Sequence, residues 1–176
     1  MSYDFKLFRP PEGIDPARAF RELLEREEQG IGDLEAWRAR VLPDLVRQEM
    51  QNLATLVKAS HPAFEQFEPV PPLPWIELTH ENLDVQVTIY EDSATITIAY
   101  FRDRSDQMMA CVFDCIDVFH RAAGYLAYDP QLGRIVTRAN VGEILGIYRG
   151  MNDRLPEMLH PSPRKRPWWK FWSSEV

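Results

Sequence analysis

Tyr3, Phe5 and Leu7 alternate with Asp4 and Lys6, the period-two pattern of a strand buried on one face. Arg9-Pro10-Pro11 and Gly13 end it. Asp15 followed by Pro16 reads as an N-cap with proline at the first helical position, which predicts a helix to about Gln29 with Phe20, Leu23 and Leu24 as its apolar stripe. Gly30 and Gly32 interrupt the helix, and Asp33 caps a longer second one. Its stripe runs Leu34, Trp37, Val41, Leu42, Leu45, Val46, Met50, Leu53, Leu56 and Val57, spaced by threes and fours. Pro43 lacks a backbone donor and predicts a kink or break within it.

Residues 61–75 hold Pro62, Pro69, Pro71, Pro72 and Pro74, a stiff extended connector laid over the surface, with a ligand for a proline-binding module as its functional alternative. Three strands are predicted after it. Ile76 and Leu78 alternate with Glu77 and Thr79; Leu83, Val85, Val87 and Ile89 with Asp84, Gln86, Thr88 and Tyr90; Ala94, Ile96, Ile98 and Tyr100 with Thr95, Thr97 and Ala99. Glu91-Asp92-Ser93 is short enough to make the last two an antiparallel hairpin. Gln86, Thr88, Thr95 and Thr97 then share one wetter face, opposite the apolar one.

Ser105 or Asp106 is expected to cap a helix to about Ala123, apolar over most of its surface through Met108, Met109, Val112, Phe113, Ile116 and Phe119, and ended by Gly124. Residues 125–128 and Ile135-Val136 read as short strands around the turn Asp129-Pro130-Gln131-Leu132-Gly133. Asn140 with Glu143 resembles a capping box for a last helix carrying Val141, Ile144, Leu145, Tyr148 and Met151 on one face, and Pro156 and Pro161 close the folded part. The order β-α-α-β-β-β-α-β-β-α predicts an α+β domain, a mainly antiparallel sheet with helices packed on one face. A single domain is expected over residues 1–158, followed by a tail at 159–176.

Charge sharpens that division. The chain has 20 Lys and Arg against 27 Asp and Glu, net −7, of which residues 164–176 contribute four bases and one acid, leaving −10 on residues 1–163. An acidic body repels nucleic-acid backbones and favours basic partners. Met1-Ser2-Tyr3-Asp4 shows no basic start to a signal peptide, no apolar run nears the roughly 20 residues that span a bilayer, and two cysteines build no disulfide framework. A cytoplasmic location is therefore expected. In the tail, Arg164, Lys165 and Arg166 precede Trp168, Trp169, Phe171 and Trp172, cations beside amphipathic rings that suit the inner membrane face, a groove on another protein, or an apolar patch of the same domain.

Candidate chemistry is sparse. Cys111 and Cys115, four apart on a helix, share a face and could offer two thiolates, but His120 lies about 140° around the helix from Cys115. Buried structural cysteines are the reading adopted, with no metal, cofactor or catalytic residue expected. No phosphate-binding glycine loop, nucleophile elbow or zinc-protease helix motif occurs. An enzyme working through Asp114, Asp117 or His120 is the remaining catalytic alternative. In the loop at 129–134, Asp129 can bond back to the backbone and Gly133 permits a positive φ, a hairpin connection that also displays residues to a partner. Glu91, Asp92, Asp114, Asp117, Asp129 and Gln131 are accordingly the expected partner-binding residues.

In its opening Met1-Ser2-Tyr3-Asp4-Phe5-Lys6-Leu7-Phe8, its hairpin before a helix, and Gly124-Tyr125-Leu126-Ala127-Tyr128-Asp129-Pro130-Gln131, the chain resembles small uncharacterised bacterial α+β proteins. Over residues 1–138 it is similar in style to the immunity proteins of polymorphic or contact-delivered toxins. The resemblance implies a non-enzymatic protein that neutralises a basic toxin, and it carries over no functional residue. A peripheral membrane or assembly adaptor docking through the tail is the alternative.

Overall fold

The computed structural model describes residues 2–30, 34–69, 72–99 and 104–159. In chain order the elements are β1 (Ser2–Phe8), α1 (Pro16–Gly30), α2 (Leu34–Arg38), α3 (Asp44–Ser60), β2 (Phe64–Phe67), β3 (Ile76–His80), β4 (Val85–Ile89), β5 (Ser93–Ala99), α4 (Ser105–Ala123), β6 (Leu126–Asp129), β7 (Arg134–Val136) and α5 (Val141–Leu159). The strands form a seven-stranded sheet in the order β2-β3-β4-β5-β1-β6-β7, with every neighbouring pair antiparallel. The fold is α+β, as the alternating and helical patterns predict. No helix among the described residues is long and apolar enough to cross a membrane.

Period-two alternation decides which way each strand faces. Tyr3, Phe5 and Leu7 of β1, Leu78 of β3, Val85, Val87 and Ile89 of β4, and Ala94, Ile96 and Ile98 of β5 all enter one core with α3, α4 and α5. The N-terminal strand lies between β5 and β6, so its aromatic side chains reach the middle of that core, where Phe5 meets Tyr3 at 5.2 Å and Phe113 at 6.1 Å between ring centroids. In α4, Met108, Met109, Cys111, Val112, Phe113, Cys115, Ile116, Val118 and Phe119 are all buried, which explains a helix apolar around most of its girth.

Several features differ from the sequence reading or sharpen it. Proline-flanked residues 64–67 form the edge strand β2, because the segment between Pro62 and Pro69 retains free backbone donors and pairs with β3. The break expected at Pro43 divides the second helical stretch in two: α2 ends at Arg38, and α3 begins after Pro43, whose φ of −58° suits a helix start. One helix lies on the opposite face of the sheet. Asp15 caps α1 by accepting from the Arg18 N–H at 3.0 Å, and Phe20 of α1 stacks on Tyr128 at 3.7 Å and packs on Phe8, two residues that point away from the main core. The capping box before α5 belongs to a 3-10 turn (Arg138–Asn140): Asn140 serves as its third residue, reaching back to the Thr137 N–H at 2.9 Å, and α5 continues past Pro156 to Leu159.

Gly124 ends α4 in the left-handed region, with φ 68° and its N–H donating to the His120 carbonyl at 2.9 Å. Open space surrounds the position where a Cβ would stand, so only the backbone opposes a side chain there. Gly124→Ala should destabilise the fold by about 1 kcal/mol, read as a lower urea midpoint with an unchanged slope.

Candidate functional site

The face of the sheet turned away from the main core carries hydrogen-bonding side chains in register. One row crosses five strands as Asp4, Thr97, Gln86, Thr79 and Glu65; the next runs Tyr128, Lys6, Thr95, Thr88, Glu77 and Phe67. Asp4, Lys6, Thr95, Thr97, Gln86, Thr88 and Glu77 are half-buried, and Thr79 and Glu65 exposed. A third row is roofed. Phe8 lies beneath α1, and the Trp37 ring of α2 stacks on Trp75 at 4.8 Å and meets Tyr90 at 6.0 Å. The floor is thus a polar sheet and the wall is helical, the wetter face expected from Gln86, Thr88, Thr95 and Thr97.

The acids singled out in the sequence are mostly occupied within the chain. Glu91 pairs with Arg40, and Asp92 with Arg26 at 2.9 Å, ties that hold α1 and the residues after α2 to the β4–β5 turn. Asp114 and Asp117 both accept from Arg138, at 2.5 and 2.7 Å, and these two bonds raise the guanidinium pKa above its ordinary value. Asp129 does not present itself to a partner. It is fully buried, accepting from the Tyr3 hydroxyl at 2.5 Å and the Gln131 and Leu132 N–H groups at 2.8 and 3.1 Å. Gln131 is exposed on the turn that this carboxylate shapes, and Gly133 takes a φ of 67°. Arg164, Lys165, Arg166, Trp168, Trp169, Phe171 and Trp172 lie outside the described residues.

The catalytic alternative finds no convergence. His120 turns its Nδ1 to the Tyr125 carbonyl at 3.0 Å, while Asp114 and Asp117 are held by Arg138. A cavity of about 540 Å³ under α1 is lined by Phe8, Arg9, Leu23 and the acids Glu22, Glu25 and Asp92 among others. Its cations are engaged: Arg26 by Asp92, and Arg9 by the Ala123 carbonyl at 2.6 Å and the Tyr125 ring at 5.5 Å.

A different cluster emerges on the core side of the sheet. His61 follows α3, His80 ends β3, and Cys111 sits mid-helix in α4; one potential ligand atom from each lies within 4.8 Å of the other two. His61 Nε2 is 3.0 Å from Asp114 Oδ2, and the Asn82 N–H is 3.2 Å from His80 Nδ1. Burial, and then the nearby His61, push the His80 pKa down, which keeps that imidazole neutral. The Cys115 thiol is pushed well above its ordinary range by its hydrogen bond with Cys111 and by burial. As metal ligands Cys111 and Cys115 were set only against His120, while His61 and His80 entered the sequence reading only as bases for a cysteine nucleophile, so the cluster was missed. His80 carried a legible signal, because it continues the core-facing alternation of Ile76 and Leu78.

Fold and surface together define a class: a seven-stranded antiparallel α+β module with one sheet face buried under three helices and a polar, partly roofed second face. No family model, curated protein or solved structure matches the chain.

Proposed function

We propose that this chain is a non-catalytic protein-binding module that receives a basic partner on the polar face of its sheet. The observation that carries this reading is the pair of in-register rows, whose charged members Asp4, Glu65 and Glu77 outnumber Lys6. Threonine and glutamine offer donors and acceptors that require little desolvation, and the residues 1–163 bear a net charge of −10 to steer a cationic surface toward them. With Glu91, Asp92, Asp114 and Asp117 paired to Arg40, Arg26 and Arg138, the polar sheet face is the surface that this reading assigns to the partner. Neutralisation of a basic toxin by masking is the instance of this function that the resemblance suggests.

The test reconstitutes the purified chain with basic proteins encoded beside it. A stoichiometric complex should form, with an association rate that falls as salt rises. Thr88→Arg with Thr97→Arg places two cations centrally on the face and should weaken the complex by about 30-fold or more at an unchanged melting temperature. A complex indifferent to salt and to both substitutions sinks the proposal, as does failure to bind any neighbouring product.

A further inference from the structure

We propose that His61, His80, Cys111 and Cys115 form a binding site for a zinc-class divalent ion that ties α3, β3 and α4 together. The site is independent of the partner-binding reading, since it lies on the opposite side of the sheet.

Geometry comes first. Mutual separations within 4.8 Å place the His61, His80 and Cys111 ligand atoms no more than about 2.8 Å from a common centre, against zinc–nitrogen and zinc–sulfur bonds of about 2.0–2.3 Å. Side-chain adjustments of about half an ångström close that difference. Cys115 lies outside that 4.8 Å group but one helical turn beyond Cys111, on the same face and hydrogen-bonded to its thiol, so a rotation of its side chain would bring its sulfur to the fourth position.

The surroundings match what a metal-bound imidazole needs. Asp114 meets His61 Nε2 at 3.0 Å, so the ion would take Nδ1; a carboxylate on the far nitrogen of a ligating histidine fixes its tautomer and strengthens it as a donor. His61 and Asp114 also provide access, with side chains 24% and 41% exposed, whereas both cysteines are fully buried. A nucleophilic role for Cys111 has no such access for a substrate. Two imidazoles and two thiols, mixed nitrogen and soft sulfur donors in tetrahedral number, select zinc over calcium or magnesium.

Protons balance simply. Each cysteine yields its thiol proton to solvent as the sulfur binds, so loading releases two protons, and the ion reverses the environment that otherwise keeps Cys115 protonated. His80 binds through Nε2 once its proton moves to Nδ1, surrendering the long contact from Asn82.

Cobalt(II) titration of the full-length reduced chain tests the site. One equivalent should bind with visible tetrahedral bands and near-ultraviolet thiolate charge transfer, zinc should displace it, and the melting temperature should rise on loading. Cys111→Ser and His61→Gln should each weaken binding at least about 100-fold, with His61→Gln at the surface edge guarding against misfolding. Asp114→Asn should weaken it about 10- to 100-fold while the charge-transfer band persists, and His120→Gln should leave it unchanged. Cys115→Ser should roughly halve the charge-transfer intensity; undiminished intensity removes Cys115 from the set. Absence of thiolate charge transfer, or affinity unaffected by Cys111→Ser and His61→Gln, overturns the site.

Discussion

Phe5→Ala is expected to destabilise the protein by about 3–5 kcal/mol, a fifth or more of the roughly 5–15 kcal/mol that holds a domain together. Phe5 is fully buried on the strand at the heart of the sheet, paired with Ile96 across β5 and with its ring between Tyr3 and Phe113. Truncation removes both the transfer energy of the ring and the contacts that line the void, and the surrounding strands are tied on both sides and cannot collapse into it. Urea unfolding should show the midpoint fall steeply with little change in slope. Phe67, the same residue type on the edge strand β2 but 56% exposed, is the control. Phe67→Ala should move stability by no more than about 0.5 kcal/mol. Equal losses at the two positions would mean that the β1 side chains do not form the centre of the core.

Much of this architecture was legible because each strand advertises its own orientation. Leu78, Val87 and Ile96 lie side by side in the observed register, and their alternation with threonine, glutamine and glutamate already separated a core face from a wet one. The shortest elements were not legible. In β2 only Phe64 is buried of its four residues, and prolines on either side dominate the local signal. Pairing with β3 supplies what the segment lacks by itself. Likewise Val41, Leu45 and Leu56 fit a helical stripe yet are 87%, 72% and 44% exposed: Val41 falls in the break before α3, and within α3 the buried face runs through Met50, Leu53, Ala54 and Val57, which leaves Leu45 and Leu56 off it.

The candidate sites were less legible for a common reason: their partners lie far apart in sequence. Glu91 and Asp92 looked like a free acidic turn until Arg40 and Arg26 came to them from the other side of the chain. Cys111 looked inert beside its own helix neighbours, while its nitrogen partners came from the end of α3 and the end of β3. His61 follows a helix in an irregular segment, where no periodicity reports a direction. The two proposed functions also meet in β3. Thr79 belongs to the polar face and His80, next to it, to the metal cluster. An ion holding His80 would steady the exposed end of that face.

Asp129→Ala is expected to destabilise the fold by about 3 kcal/mol or more, although a carboxylate in a surface-type turn motif looks replaceable. The loss has two parts. The Tyr3 hydroxyl, itself fully buried, loses its 2.5 Å acceptor, and the Gln131 and Leu132 N–H groups lose the oxygen that closes the β6–β7 turn. Buried donors left without partners forfeit their desolvation, which is why removing a shared acceptor exceeds the net worth of any one bond. Tyr3→Phe alone removes the hydroxyl's bond to the Asp129 carboxylate and should destabilise by about 1.5–3 kcal/mol. In the double variant the two losses should fall short of their sum by at least about 1 kcal/mol, the coupling that neighbours in one network show. Equilibrium unfolding of the four proteins measures it. A coupling below about 0.5 kcal/mol would be the additivity of independent sites; the carboxylate would then not be anchored by Tyr3, and its role would return to the surface where the turn sequence first placed it.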